Sequence, residues 1–164
     1  MHLTIRDYRG GDLDRVQELT VAAFDGVSIA QNIHKLLGPV GGHDWTWHKA
    51  RAIAADVAHD QMAVFVAEVD DRIVGVITTR VDTEAGIGFV PNLAVDQGEQ
   101  GRGIGRRLLE HALQYFRSEG VTTAHIETLE QNQIGQHLYP AVGFKEVARQ
   151  IHYALDLTTQ TPPQ

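Results

Sequence analysis

The stretch from Val95 to Gly120, VDQGEQGRGIGRRLLEHALQYFRSEG, leaves this chain few ways to fold. An apolar run, Asn92-Leu93-Ala94-Val95, ends at an acidic residue and opens into a loop of Gly and Gln. That loop, Gln100-Gly101-Arg102-Gly103-Ile104-Gly105, runs without a break into an amphipathic helix pattern. Ile104, Leu108, Leu109, Ala112, Leu113 and Phe116 recur at spacings that put them on one helical face. Strand, glycine-rich loop and helix in that order aim backbone N–H groups at one point. The first N–H groups of a helix have no internal partners, and the helix dipole adds partial positive charge there, so an anion is the natural occupant. Glycines at 101, 103 and 105 remove Cβ atoms that would block close approach, and Arg102, Arg106 and Arg107 add full positive charge. The stretch reads as a site for a phosphate-bearing ligand.

Two familiar phosphate loops are excluded. No Gly-Lys-Ser/Thr occurs, so there is no P-loop, and Leu108 stands where the dinucleotide pattern needs its last glycine. What remains is Gln-x-x-Gly-x-Gly. Composition narrows the rest. At 164 residues with 43% hydrophobic content the chain is expected to form one domain over residues 1–157, followed by a flexible polar tail over 158–164. No apolar run is long enough to span a membrane, and MHLTIRDYRGGD has no signal-peptide character, so a cytoplasmic location is the default expectation. Zero cysteines exclude disulfides, thiolate metal sites and a Cys nucleophile. A net charge of −7 argues against nucleic acid as a partner and fits a cationic acceptor.

Taken in order, the chain predicts a strand over His2–Tyr8, then a helix capped by Asp12 and running to Phe24. A second helix, capped by Ser28, covers Ile29–Leu37, and a third, capped by Asp44, runs to about His59 with Trp47, Ala50, Ala54 and Val57 on its inner face. Met62–Val69 and Arg72–Asp82 read as strands joined at Asp70-Asp71, followed by a strand over Ile87–Val95. The glycine-rich helix stops at Gly120. Thr122–Leu129 reads as a strand, Asn132–Ala141 as a short helix, and Phe144–Ala148 and Gln150–Leu157 as two closing strands. The strands either side of the glycine-rich helix form a βαβ unit and should be parallel, whereas the earlier ones should be antiparallel. Pro91 implies a bulge in the strand before the loop, which would splay the parallel pair and free backbone groups for a ligand.

The loop and a later stretch, Asn132-Gln133-Ile134-Gly135-Gln136-His137-Leu138-Tyr139-Pro140-Ala141-Val142-Gly143-Phe144, together resemble the GNAT superfamily of N-acetyltransferases. Leu138-Tyr139 and Gly143-Phe144 match that superfamily's pattern, and the match is strong over residues 90 to 150. The resemblance implies an α/β fold with a mixed, mostly antiparallel central sheet, one parallel pair splayed at a bulge, and helices on both faces. It implies acetyl-CoA as cosubstrate and no metal. Main-chain groups of Leu93, Ala94 and Val95 would hold the pantetheine arm. The N–H groups of Gln100, Gly101, Arg102, Gly103, Ile104 and Gly105, with Arg106, would hold the pyrophosphate. Asn132 would contact the pantetheine, and Tyr139 would sit beside the thioester sulphur. Gly135 stands where the superfamily often has Ala. Pro140 stands where a helix former is usual, which predicts a kink at Tyr139.

Acetyl transfer to an amine needs an unprotonated nitrogen, a stabilised oxyanion and a proton for the leaving thiolate. Tyr139 is the candidate acid. Glu127, twelve residues earlier, is the candidate base, at a spacing that resembles the ribosomal-protein N-terminal acetyltransferases. Strand alternation puts Glu127 opposite Ile126, facing either the cleft or solvent. Asp82, Glu84, His43, His48 and water are the alternatives for the base. The nine histidines form no His-Glu-x-x-His, and neither Ser28 nor Ser118 lies in a nucleophile elbow. The expectation is direct attack by a primary amine, either a peptide N-terminus or a small cation. The alternative is a CoA-binding regulatory or sensor domain without turnover. A homodimer is compatible with the resemblance, and no interface is legible.

Overall fold

The computed structural model describes residues 2–159. Five strands form one sheet in sequence order: β1 (Leu3–Asp7), β2 (Met62–Val69), β3 (Arg72–Asp82), β4 (Ile87–Val95) and β5 (Thr123–Ile126). The first three pairings are antiparallel and β4–β5 is parallel. The helices are α1 (Leu13–Ala23), α2 (Ile29–Leu37), α3 (Trp45–Ala58), α4 (Ile104–Ser118) and α5 (Gln133–Val142). This is the mixed α/β architecture expected. The β2–β3 hairpin turns on Asp70 and Asp71, both left-handed at φ 50° and 60°, a conformation that Asp adopts at low cost in a two-residue hairpin.

Each face of the sheet carries its own core. On one face the buried stripe of α4 (Ile104, Leu108, Leu109, Ala112 and Phe116) packs on Phe65, Val74, Ile77 and Val90. Two glycines let the helix lie this close. A Cβ on Gly88 would stand 2.6 Å from the Phe116 ring, and one on Gly75 would stand 2.8 Å from Leu108 Cδ1. On the other face Val16 and Leu19 of α1 and Ile53 of α3 cover Val64, Val66, Val76 and Ala94. Burying each of these large side chains contributes roughly 1.5–3 kcal/mol.

Pro91 interrupts the sheet as expected. Thr78 pairs with Asn92 and Arg80 with Phe89, so Val90 and Pro91 together face the single residue Thr79. Proline has no N–H to give to a ladder. The parallel ladder to β5 begins at Ile87–Thr123 and ends at Val90–Ile126, one residue before the proline. Beyond it β4 continues with its β5-side edge open.

Several local expectations are corrected. Strand β5 stops at Ile126 rather than Leu129, because β4 bends away after the bulge and offers no further pairing. Asp12 does not cap α1. Its carboxylate accepts the Arg9 N–H at 2.7 Å and pairs with Arg6 at 2.8 Å, closing a 3-10 turn over Gly10–Asp12. Ser28 makes no side-chain cap bond to α2, whereas Asp44 caps α3 by accepting the Trp47 N–H at 3.0 Å. Trp47 is 40% exposed and stacks on His43; the inward residue of α3 is Ile53. The assigned helix α5 runs through Pro140 to Val142. The two closing strands do not form: residues 144–156 make no ladder among the described residues, and Val147, Ile151, Tyr153, Leu155 and Leu157 stand exposed. A strand pattern needs an edge to pair with, and this segment takes none. Of the tail, Thr158 and Thr159 lie in a turn, and 160–164 fall outside the described residues.

Candidate functional site

The loop between β4 and α4 is built by its own side chains. Asp96 accepts the Gly98 N–H at 3.0 Å and so fixes a 3-10 turn over Gln97–Glu99, while Gln100 donates from Nε2 to the Val95 carbonyl at 3.3 Å. Gly103, left-handed at φ 79°, is the N-cap of α4. The N–H groups of Ile104, Gly105 and Arg106 form the first turn and have no intrahelical acceptor. Two carboxylates near this electropositive end are neutralised. Asp96 pairs with Arg15 and with Arg72, and Glu99 pairs with Arg72 at 2.7 Å and with Arg102. The backbone N–H of Gly98, helped by Arg15, holds the Asp96 carboxyl below the usual range. Arg102 remains half exposed beside the loop. The Arg106 guanidinium instead donates to the Ala141 carbonyl at 3.1 Å and reaches Glu110, which ties α4 to α5.

The open edge of β4 has a defined polarity. Asp96 donates its N–H to Val74 on β3 at 2.8 Å. Because alternate residues of a strand face opposite neighbours, Ala94 also directs its backbone groups at β3, and a Cβ on Gly75 would stand 3.3 Å from the Ala94 carbonyl oxygen. The N–H groups of Leu93 and Val95 therefore point into the gap beside β5. Of the three strand residues singled out in the sequence, two face the gap and Ala94 supports them from the ladder side.

Helix α5 closes the other wall. Asn132 caps it, accepting the Gly135 N–H at 3.1 Å and donating to Thr128 Oγ1 at 2.8 Å, so both ends of its amide are engaged within the protein. Gly135 is the crowded point. A Cβ there would lie 2.9 Å from Thr128 Oγ1, 3.0 Å from Asn132 Nδ2 and 3.1 Å from Tyr139 Cε2. The absence of a side chain at 135 is what lets the Tyr139 ring lie against the start of its own helix. Burial pushes the Tyr139 hydroxyl up to about 12. Desolvation alone accounts for that rise, with no hydrogen-bond partner contributing to it. Leu138, next to it, lies near Gly105 and Val95, bringing α5, the first turn of α4 and the end of β4 to one place.

The opposite face of the sheet holds a second polar group. Phe89 and His125 meet edge to face there, 5.3 Å between centroids, and Glu127 lies two residues beyond His125, exposed and opposite the core-packed Ile126. On the same face Asn92 donates to Asp56 at 2.8 Å and to Thr78 at 2.9 Å. Lys49 of α3 places its Nζ 3.3 Å from Asn92 Oδ1 and 3.6 Å from the centroid of the Phe24 ring. Burial lowers this lysine to about 8, partly opposed by Asp56. Sequence reasoning missed Lys49, Asp56 and Asn92. The one available signal was helical spacing, since Lys49 lies four residues before the buried Ile53.

Of the remaining candidates for the base, Asp82, His43 and His48 are engaged locally. Asp82 accepts the Ala85 N–H at 2.9 Å within a turn, and Glu84 is exposed beside it. His43 stacks on Trp47 with centroids 3.7 Å apart, and a ring nitrogen of His48 lies 2.9 Å from the Val40 carbonyl. Among the described residues no group of three His, Cys, Asp or Glu is placed to hold a metal ion, and no helix is long and apolar enough to cross a membrane.

Comparison with known proteins points the same way. Residues 30–144 match the Acetyltransferase (GNAT) family. A mycothiol acetyltransferase of Thermomonospora curvata is 34% identical over 119 residues, which are 73% of this chain and 38% of that protein. A [ribosomal protein bS18]-alanine N-acetyltransferase of Salmonella typhimurium is 36% identical over 84 residues, 51% of this chain and 55% of the relative. The chain thus spans between about two fifths and just over half the length of these curated relatives. The PaiA N-acetyltransferase of Thermoplasma acidophilum, solved in complex with coenzyme A, superimposes with a TM-score of 0.69 at 19% identity, over 88% of this chain and 91% of that one. That likeness shows the shared fold. With the family match covering well over half of the sequence, this chain belongs to the acetyltransferase (GNAT) family.

Proposed function

We propose that the chain is an acetyl-CoA-dependent N-acetyltransferase that moves the acetyl group to a primary amine by direct attack. The observation that carries this reading is the open edge of β4 beyond Pro91, bounded at one end by the first turn of α4, where Leu138 of α5 lies beside Gly105. The residues fit the cosubstrate. Free N–H groups at Ile104, Gly105 and Arg106, with the backbone of Gln100 to Gly103, suit a pyrophosphate. The Leu93 and Val95 N–H groups suit an extended amide-bearing arm lying as an extra strand.

Bound acetyl-CoA supplies an activated thioester; the rest is the work of the chain. The Leu93 N–H, directed into the gap, is the group that would polarise the thioester carbonyl, a contribution that strengthens as charge develops on oxygen. Tyr139, kept protonated by burial throughout the working pH range, donates its hydroxyl hydrogen to the departing sulphur. The acceptor enters from the face that carries Asn92, Lys49 and Glu127. There Glu127 takes the proton from the amine, directly or through water. Lys49, lowered to about 8 by burial, is still mostly charged near neutral pH, and its Nζ is held at Asn92 Oδ1 on this face.

The acceptor is a peptide N-terminus or a small cationic amine. The relatives named for mycothiol and for a ribosomal-protein alanine mark the range to be tried. Free thiol release from acetyl-CoA, followed with a panel of such amines, tests the reading. Amine-dependent release that collapses in Tyr139→Phe supports it. Tight CoA binding with no amine acetylated would instead make the chain a sensor domain.

A further inference from the structure

Three lysine or arginine residues are half-buried, Arg6, Arg15 and Lys49, and the rest are exposed. The two arginines have carboxylates beside them. Arg6 pairs with Asp12 at 2.8 Å and with Glu68 at 2.5 Å, and Arg15 pairs with Glu18 at 3.1 Å and with Asp96. Lys49 has none. Its Nζ donates to Asn92 Oδ1 at 3.3 Å and faces the Phe24 ring, and among the described residues it makes no ion pair and no other hydrogen bond. Asp56 is reached only through Asn92, which donates to it from Nδ2 at 2.8 Å, and its charge does not outweigh the burial of the lysine. An ammonium carries three N–H donors, so Lys49 has donors to spare. A charge drawn out of water without a counter-ion costs stability, and such a group in a cleft marks a functional site.

Its position says what that function is. Asn92 directly precedes Leu93, whose N–H points into the gap beside β5, and Lys49 stands on the face that the proposed acceptor enters. On that face the exposed Glu127 offers a negative charge to the amine. Lys49 offers a positive one, and Arg80, exposed over the Phe89 ring at 4.9 Å and without an ion pair among the described residues, adds a second. We propose that Lys49 receives a carboxylate that the acceptor carries close to its primary amine, as in a peptide beginning with Asp or Glu or in a free amino acid. The inference rests on the N-acetyltransferase reading and selects the kind of amine within it. A carboxylate fits better than a phosphate. One ammonium already engaged by Asn92 matches a single negative charge, and a chain of net charge −7 disfavours a dianion.

Steady-state kinetics with two matched pairs of acceptors tests it: a tripeptide amide beginning with Asp against the same peptide beginning with Asn, and free alanine against alaninamide. In the wild type kcat/KM should favour the carboxylate member of at least one pair by about tenfold or more. The pair that shows the preference tells whether the carboxylate belongs to a side chain or to the amino acid itself. Lys49→Met should bring that pair level through KM, and Lys49→Arg should restore part of the preference. Equal kcat/KM within both wild-type pairs overturns the proposal, a result that does not depend on any variant folding. So does a preference that survives Lys49→Met. If no amine is acetylated, the transferase reading fails, and titration of the N-acetylated members of both pairs into the CoA-saturated protein decides the rest. Binding of a carboxylate member about tenfold tighter than its partner supports Lys49 as a carboxylate site, and equal or absent binding overturns it.

Discussion

Lys49 Nζ stands 3.3 Å from Asn92 Oδ1, immediately after the proline at which β4 parts from β5. The lysine sits on the Phe24 ring and is lowered by burial from 10.5 to about 8. The unfolded chain holds this proton more tightly than the native one, so the charged lysine costs stability below pH 8. That cost fades as the pH rises toward 10.5. Relative to Lys49→Met, the wild type should gain up to about 3 kcal/mol between pH 7.5 and 10.5. Urea unfolding of both proteins at the two pH values measures the difference, and parallel pH curves would show that Lys49 is not desolvated.

Tyr139→Phe removes one oxygen and leaves the ring that packs beside Gly135 and Phe144. The kcat for acetyl transfer should fall by roughly 10²–10⁴ while acetyl-CoA affinity changes little. Because burial holds the wild-type hydroxyl at about 12, the wild-type pH–rate profile should show no falling limb from this residue below about pH 11. Steady-state kinetics combined with an acetyl-CoA binding isotherm separates the two effects.

Gly135→Ala sets two forces against each other. Alanine favours a helix over glycine by about 1 kcal/mol, but its Cβ would crowd Thr128, Asn132 and Tyr139 at 2.9, 3.0 and 3.1 Å. Stability should therefore change by less than about 1 kcal/mol in either direction. The displaced Tyr139 ring should lower kcat several-fold. A variant with wild-type kcat would show that the ring position is not critical.

Much of this arrangement was legible in the residues. Strands β2, β3 and β4 run between the bounds expected because Asp70-Asp71 and the turn ending at Gly86 punctuate them sharply. Pro91 announced its bulge, since a residue without an N–H cannot continue the ladder. What was hidden depended on tertiary contacts. Trp47 is apolar enough for the core, yet α3 is rotated so that Ile53 and Lys49 face inward. Lys49 reads as a solvated charge until Phe24 and Asn92 are seen beside it. The alternation over 150–157 signals a strand and says nothing about whether an edge is there to receive it.

Gly103 is left-handed at φ 79°, and a Cβ there would meet nothing within 4 Å. The cost of a side chain is therefore backbone strain alone, about 1–2 kcal/mol for an ordinary residue, more for a β-branched one and less for Asn. Acetyl-CoA affinity should fall in the order Gly103→Asn, Gly103→Ala, Gly103→Val, the last by about tenfold or more. Isothermal titration of the three variants checks the order.

In the proposed complex acetyl-CoA lies along the open edge of β4 with its pyrophosphate at the start of α4. Residue-resolved amide exchange, with and without saturating acetyl-CoA, tests this most directly. The Leu93, Val95, Ile104 and Gly105 amides should slow on binding, whereas Ala94, already directed at β3, should not. Unchanged exchange at Leu93 and Val95 in the saturated protein would contradict the account.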